Sequence, residues 1–256
     1  MNQNEKAKAF GALHRKGAPL VLYNIWDAGT AKAVADAGAK ALATGSWSVA
    51  AAHGYADGEK LPMSVLVETA RSITAVADLP LSIDFEGAYS AEPEGAAANV
   101  AKLVEVGAVG INFEDQVVGG GGLYPAERQA ARIRAIRAMA EGKGIPFFIN
   151  ARTDLFLAES DLSKHAGLVD EAIERGKAYA AAGGSGFFVP GLIDPALIEK
   201  ICAASPLPVN IMMRAGAPEV KTLAKLGVGR VSYGPRPYRS MMEKLKQEAA
   251  AIYSLL

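Results

Sequence analysis

The sequence predicts an α/β protein, a single (β/α)8 TIM barrel over residues 1–256. Three observations carry this. Short apolar runs recur eight times along the chain, segments with helical spacing separate them, and polar residues gather just after the runs. A barrel of this kind takes roughly 250 residues, so the chain needs no second domain.

The runs are Leu20 to Tyr23, Ala41 to Ala43, Leu81 to Ile83, Val109 to Phe113, Pro146 to Ile149, Gly186 to Val189, Pro208 to Ile211 and Arg230 to Ser232. Several are rich in Val, Ile and Phe, as buried parallel strands are. Between them, Leu168, Ala172 and Tyr179 join Val169, Ile173 and Ala180 in one apolar stripe at helical spacing. Ile133, Ile136 and Ala140 form another, which directs Arg128, Arg132 and Arg134 elsewhere. Asp194-Pro195 and Ala217-Pro218 put proline where helices begin, and Gly38, Gly183 and Gly227 stand where helices stop. Strict strand-then-helix alternation makes the sheet parallel, and eight units favour closure.

No GxGxxG follows the first strand, which argues against a dinucleotide fold. The run Gly119 to Gly122 lies beyond its strand and lacks the lysine and hydroxyl of a phosphate loop; it reads as a mobile loop. Lysines plus arginines equal aspartates plus glutamates at 27 each, so no basic footprint points to nucleic acid. No apolar run approaches the roughly 20 residues that span a bilayer. The segment Met1 to Phe10 is polar, without a signal-peptide core. The single cysteine, Cys202, excludes an internal disulfide and thiolate zinc clusters, and its place on an apolar helix face reads as packing. A cytoplasmic protein is expected.

Active sites of such barrels form at the C-terminal ends of the strands. After the successive runs come Asn24 and Asp27; Thr44, Gly45 and Ser46; Asp84 and Glu86; Glu114 and Asp115; and Arg152 and Asp154. Asn210 sits within the seventh run. Asp84 and Glu86, two apart, would share a strand face. With Glu114 on the next strand, three carboxylates would repel one another unless protonated or neutralised. A hard cation, Mg2+ or Mn2+, relieves that repulsion through oxygen ligands. Asp57, in the loop Gly54 to Gly58, adds an outer carboxylate. Arg152 suits a substrate carboxylate, and Thr44, Gly45 and Ser46 would offer N–H groups and hydroxyls. His14 and His165 read as surface residues, and His53 as a weak site candidate.

The ordered set Tyr23-Asn-Ile-Trp-Asp, Thr44-Gly-Ser, Gly54-Tyr-Ala-Asp-Gly, Ser82-Ile-Asp-Phe-Glu-Gly, Gly110-Ile-Asn-Phe-Glu-Asp, Ile149-Asn-Ala-Arg-Thr-Asp, Phe188-Val-Pro-Gly and Val231-Ser-Tyr-Gly-Pro resembles the isocitrate lyase / phosphoenolpyruvate mutase superfamily. The resemblance covers nearly the whole chain. It implies an Mg2+-dependent barrel acting on oxo-, hydroxy- or phosphono-carboxylates. Asp84 would ligate the metal, while Asp57, Glu86 and Glu114 would hold its waters. Thr44, Gly45, Ser46 and Arg152 would bind substrate, with Asn210 on the far wall. Tyr23, Glu114 and Arg152 are the candidate catalytic residues. The resemblance also implies a homo-oligomer, a tetramer or dimer, whose final helix, roughly Pro237 to Tyr253, packs on a neighbour. After the fourth strand the chain departs from the family: Glu114-Asp-Gln-Val-Val-Gly-Gly-Gly-Gly-Leu-Tyr-Pro125 carries neither the lyases' cysteine motif nor the mutases' Lys-x-Asn-Ser. Tyr124 or Asp115 is left as a stand-in proton donor. The leading expectation is a metal-dependent carbon–carbon lyase or decarboxylase of a small oxo- or hydroxy-carboxylate. The alternatives are a phosphonate-acting hydrolase or mutase, and a carboxylate-binding barrel without catalysis.

Overall fold

The computed structural model describes residues 1–255; Leu256, last of the expected domain, lies outside the described residues. Eight strands follow in order: β1 (Leu20–Leu22), β2 (Leu42–Ala43), β3 (Leu81–Asp84), β4 (Gly110–Glu114), β5 (Phe148–Arg152), β6 (Gly186–Phe188), β7 (Val209–Met212) and β8 (Arg230–Ser232). All pair in parallel, in the order β1-β8-β7-β6-β5-β4-β3-β2. A single bridge, Ile25 to Thr44, closes the seam between the first and second strands. The predicted barrel is present.

The fifth run was expected to end at Ile149, yet β5 continues to Arg152, which pairs with Glu114. The apolar pattern stops early because a barrel strand turns polar on its inner face as it nears the site. β3 and β4 likewise run on to Asp84 and Glu114.

The helices are α1 (Gln3–Ala12), α2 (Ala28–Asp36), α3 (Ser46–Ala52), α4 (Met63–Val76), α5 (Pro93–Glu105), α6 (Ala126–Gly142), α7 (Leu155–Ala158), α8 (His165–Ala181), α9 (Pro195–Ala204), α10 (Val220–Lys225) and α11 (Arg236–Tyr253). Local chemistry sets several starts. Asp27 accepts the Thr30 N–H at 2.7 Å to open α2, and Asp194 accepts the Leu197 N–H at 3.0 Å ahead of Pro195 to open α9.

Strand side chains alternate between two cores. Outward residues such as Ile83, Ile111, Ile149 and Val231 pack under the helices. Inside the barrel the residues form three layers. At the bottom, Phe10 from α1 joins Leu20, Leu22, Ala43 and Phe148. The backbone at Gly110 passes so close that a Cβ there would lie 2.8 Å from the Phe148 carbonyl oxygen and 3.2 Å from the Phe10 ring. Above lies a polar belt. Asn150 donates to Asn112 (2.9 Å) and Asn210 (3.0 Å), and Arg230 donates to Asn112 (3.0 Å). The top layer is the candidate site.

Three expectations about exposure are corrected. His14 was placed at the surface, but its ring stacks on Phe148 with centroids 3.9 Å apart, while its Nδ1 lies 2.8 Å from the Phe10 carbonyl. His165 is buried, with Nε2 2.9 Å from the Glu159 carbonyl. Both rings use their apolar faces for packing and meet a backbone oxygen with one nitrogen. Arg132, assigned away from the α6 stripe, is fully buried and lies over the Phe113 and Tyr124 rings; it binds the carbonyls of Gly87 and Ser90. Cys202 is buried and free, as packing predicted.

The final helix differs from the others. Along α11 only Pro237 is buried, while Met241, Leu245, Ile252 and Tyr253 are exposed. Correspondingly, Val21 and Tyr23 on the outer side of β1 stand exposed, where other strands are covered. Among the described residues no helix is long and apolar enough to cross a membrane.

Candidate active site

A cavity of about 170 Å³ opens at the C-terminal end of the barrel. Gly45, Ser46, Asp57, Asp84 and Arg152 line it, together with Asn24, Asn112 and Ser232.

Asp84 ends β3 and faces this space. Its Oδ2 accepts the Ser46 N–H at 2.9 Å, and its Oδ1 accepts from Asn112 Nδ2 at 3.2 Å. Its own N–H donates to Thr44 Oγ1 at 2.9 Å. The carboxylate is therefore fixed from three sides. The Asn112 amide is oriented in turn, because its oxygen already receives Asn150 and Arg230.

Arg152 ends β5. Its Nε and Nη2 donate to Asp154 at 2.5 and 2.8 Å, and Nη1 reaches Glu114 at 2.8 Å. Asp84 Oδ1 is 4.0 Å away. A guanidinium has five N–H groups; two are hydrogen-bonded to Asp154 and the Nη1 edge is ion-paired with Glu114, so two N–H groups remain beyond these contacts. Burial alone would lower its pKa, but Glu114, Asp154 and Asp84 together outweigh that and hold it protonated.

Negative charge is in surplus. Burial raises the Glu114 pKa although Arg152 opposes the shift. Burial, then Asp57 and Asp84, push Glu86 up to about 8. Asp57, exposed at the cavity lip, is raised by partial desolvation and by Asp84. In each case desolvation leads and neighbouring carboxylates add to it, so the acids are crowded and partly cut off from water.

The side chains of Asp84, Glu86 and Glu114 do not converge on one point. Among the described residues no group of three or more acidic, histidine or cysteine side chains could hold a metal between them. β3 stops at Asp84, so the period-two rule fails two residues on. Glu86 has a φ of +49°, and its carboxylate accepts the Glu59 N–H at 2.7 Å. Glu114 turns to Arg152. Asp84 alone of these three lines the cavity.

The backbone donors expected at residues 44 to 46 are already engaged. Thr44 N–H binds Ser82 O (3.1 Å), Gly45 N–H binds Ile25 O (3.3 Å), and Ser46 N–H binds Asp84. What Ser46 offers is its hydroxyl, which lines the cavity together with Asp57. Asn210 lies in the belt below, its amide spent on Asn150, Ser232 and the Arg230 carbonyl, and does not line the cavity. Tyr23 also lies outside it. Asn24 points inward, so its neighbour Tyr23 points out, with its ring 5.3 Å from Tyr233. His53 is exposed, with Nδ1 2.9 Å from the Val49 carbonyl. Asp115 is no proton donor to the cavity: it is buried against Arg175 (3.1 Å) and the Tyr179 hydroxyl (2.7 Å). Tyr124 stacks under Arg128 and Arg132, away from the cavity.

Sequence reasoning assigned no role to Asn24, Asn112 or Glu59. Asn24 ties three strand ends together, accepting the N–H groups of Tyr233 and Gly234 (both 2.8 Å) and donating to Thr44 O (2.8 Å). The signal was available: Asn24 and Asn112 are polar residues at inward positions. Glu59 had none. It sits in a left-handed conformation with Glu86, Ala88 and Tyr89, and these four strained residues gather beside the acids.

The sequence profile of the phosphoenolpyruvate phosphomutase family matches residues 10–253. A Burkholderia cenocepacia J2315 structure provisionally called a phosphonomutase is 46% identical, covers 98% of this chain and 99% of that one, and superposes with a TM-score of 0.95. The 2-methylisocitrate lyase of Escherichia coli K12 is 28% identical over 100% of this chain and 86% of its own length. An oxaloacetate decarboxylase of Ectopseudomonas mendocina is 34% identical over 72% of this chain and 62% of its own. The chain belongs to the phosphoenolpyruvate phosphomutase family, within the isocitrate lyase / phosphoenolpyruvate mutase superfamily, whose members include lyases, decarboxylases and phosphonate enzymes.

Proposed function

We propose that this protein is a metal-dependent carbon–carbon lyase that makes an enolate from a small oxo- or hydroxy-carboxylate, with decarboxylation of a β-oxo acid as the favoured form. The observation that carries this is Arg152, with two N–H groups left over, beside Asp84 in a cavity where carboxylates outnumber cations.

The acids whose charge couples to Asp84, namely Asp57, Glu86 and Glu114, offer carboxylate oxygen and no softer ligand. That fits Mg2+ or Mn2+. Mg2+ keeps several waters and needs only one or two carboxylates, so Asp84 would hold it directly, with Asp57, Glu86 and Glu114 reached through water. The cation would supply Lewis-acid stabilisation of negative charge on the substrate oxo group.

Arg152 binds the substrate carboxylate with its remaining N–H groups and keeps it in register. Asn112 and Ser46 hold Asp84 in place. As the bond to the leaving carboxylate breaks, its electron pair enters the carbonyl, carbon dioxide departs, and water returns a proton to carbon. Among the described residues no cysteine, histidine or lysine lines the cavity, so a step that needs no such side-chain base suits it better than a retro-aldol cleavage. The 46% identity to a protein provisionally called a phosphonomutase favours phosphonate chemistry as a second reading.

The test is a panel of oxo-, hydroxy- and phosphono-acids with Mg2+ and with EDTA. Metal-dependent release of carbon dioxide or a 2-oxo acid is the expected result. Asp84→Asn should abolish it and weaken Mn2+ binding at least tenfold. Turnover of phosphonopyruvate alone selects the second reading, and oxalate binding with no turnover selects a carboxylate-binding barrel.

We also propose that the exposed stripe of α11 packs on a second copy of this chain, covering the bare outer side of a partner's β1. The matching bare patches, Met241, Leu245 and Ile252 on the helix and Val21 and Tyr23 on the strand, support this. Leu245→Glu should turn the assembly into monomers in sedimentation; an unchanged mass rules the helix out as the interface. The free buried Cys202 suits a reducing compartment, and we assign the protein to the cytoplasm.

A further inference from the structure

The barrel mouth is divided by chemistry. The inward residues that end β3 to β5 are Asp84, Glu114 and Arg152, all charged. Those that end β6 and β7 are Phe188 and Met212. Leu157, Pro190 and Pro235 extend this second half and Trp47 reaches it from α3, so the wall at β6 and β7 is apolar and faces the charged one, with the Ser232 hydroxyl at its edge.

We infer that the substrate carries an uncharged alkyl substituent that lies on this wall, and that Leu157, Phe188 and Met212 select for it. The inference rests on the oxo-acid reading above and narrows its substrate class. Charge supports it as much as shape. Among the described residues Arg152 is the sole cation lining the cavity, and it is already hydrogen-bonded twice to Asp154 and ion-paired with Glu114. Asp57 and Asp84 line the same space. A phosphonate, or a carboxylate on the product's side chain, would sit against Phe188 and Met212 with no cation to meet it and only the Ser232 hydroxyl beside Met212, and a desolvated anion without a countercharge is strongly disfavoured. An alkyl group there loses only water. Its packing selects by size, at about fourfold in affinity per buried methylene.

Cations do stand nearby, but outside. Arg214, Arg236 and Arg239 line an adjoining, wider cleft beyond Leu157, Met212 and Pro235. Arg239 is held over the Trp47 ring at 4.4 Å. A small diacid seated at Asp84 and Arg152 would need to pass the apolar wall to reach them.

Calorimetry with the intact protein and Mg2+ tests this with product-type acids. Oxalate is the control for the carboxylate site. Pyruvate, 2-oxobutyrate, 2-oxopentanoate and 4-methyl-2-oxopentanoate vary the alkyl group. Phosphonopyruvate and 2-oxoglutarate carry a second charge. Affinity should rise about fourfold per carbon along the alkyl series, and both charged acids should bind more weakly than 2-oxobutyrate. Met212→Lys should reverse that order in favour of 2-oxoglutarate. If oxalate binds but 2-oxoglutarate or phosphonopyruvate exceeds the alkyl acids in the wild-type protein, the apolar wall does not select and the inference fails alone. If oxalate itself does not bind, the oxo-acid reading fails and takes this inference with it.

Discussion

The two ends of the barrel interior are built on opposite terms. At the bottom, Phe10, His14 and Phe148 fill the space with stacked rings, and the glycine at 110 lets them close up. At the top, Asp84, Glu114, Asp154 and Arg152 crowd together, and four non-glycine residues nearby hold positive φ. One end is closed by packing. The other is left with surplus charge, spare N–H groups and backbone strain. Strain and unmet charge lower stability, so their concentration at one end marks where a ligand is needed to complete the arrangement.

Arg152 gives the largest expected separation of the two ends. Arg152→Met should lower kcat/KM by about a thousandfold, or about 4 kcal/mol of transition-state stabilisation. A loss below tenfold, measured on any substrate the panel yields, would make Arg152 a structural clamp for Glu114 and Asp154. Lysine at 152 should not rescue, because an ammonium cannot make the same fork while facing a ligand.

Phe10 is the converse. Phe10→Ala should cost about 3 kcal/mol of folding stability, as a cavity opens in a fully buried ring cluster. Below the melting transition its kcat/KM should match wild type. A kinetic loss larger than a few-fold would show that the bottom layer transmits to the site through the asparagine belt, and the contrast between the ends would break down.

The same contrast explains what was legible in the sequence. The eight strands were readable because outward residues such as Ile83, Ile111 and Ile149 form apolar runs against the helices. The acids and Arg152 were readable as polar residues that follow those runs. Their directions were not. Glu86 turns to Glu59 N–H through a left-handed backbone that no residue type announces. Ser46 N–H is taken by an aspartate 38 residues away, which only the folded barrel brings near. Asp57 entered through loop position and resemblance, since nothing local distinguishes it from a solvated loop acid. At the bottom, His14 follows a short helix that crosses the barrel end, so a helical-face argument has no core to refer to.

His14 carries the smallest effect and tests the bottom end through pH. Burial, then the charge of Arg230, depresses its pKa from 6.5 to about 3, against the hydrogen bond to Phe10 O. The folded ring thus stays neutral while the unfolded ring protonates below 6.5. Between those values the unfolded state binds the extra proton, so stability falls as pH falls, and above 6.5 the residue contributes no pH dependence. Moving from pH 7 to pH 5 should cost about 1 kcal/mol from this residue, half the full linkage value to allow for solvent relaxation. His14→Phe keeps a ring against Phe148 and removes the titration. Urea unfolding at the two pH values should therefore show a smaller acid loss in the variant by that amount. Equal losses would mean that His14 protonates in place and adds nothing to the acid limb.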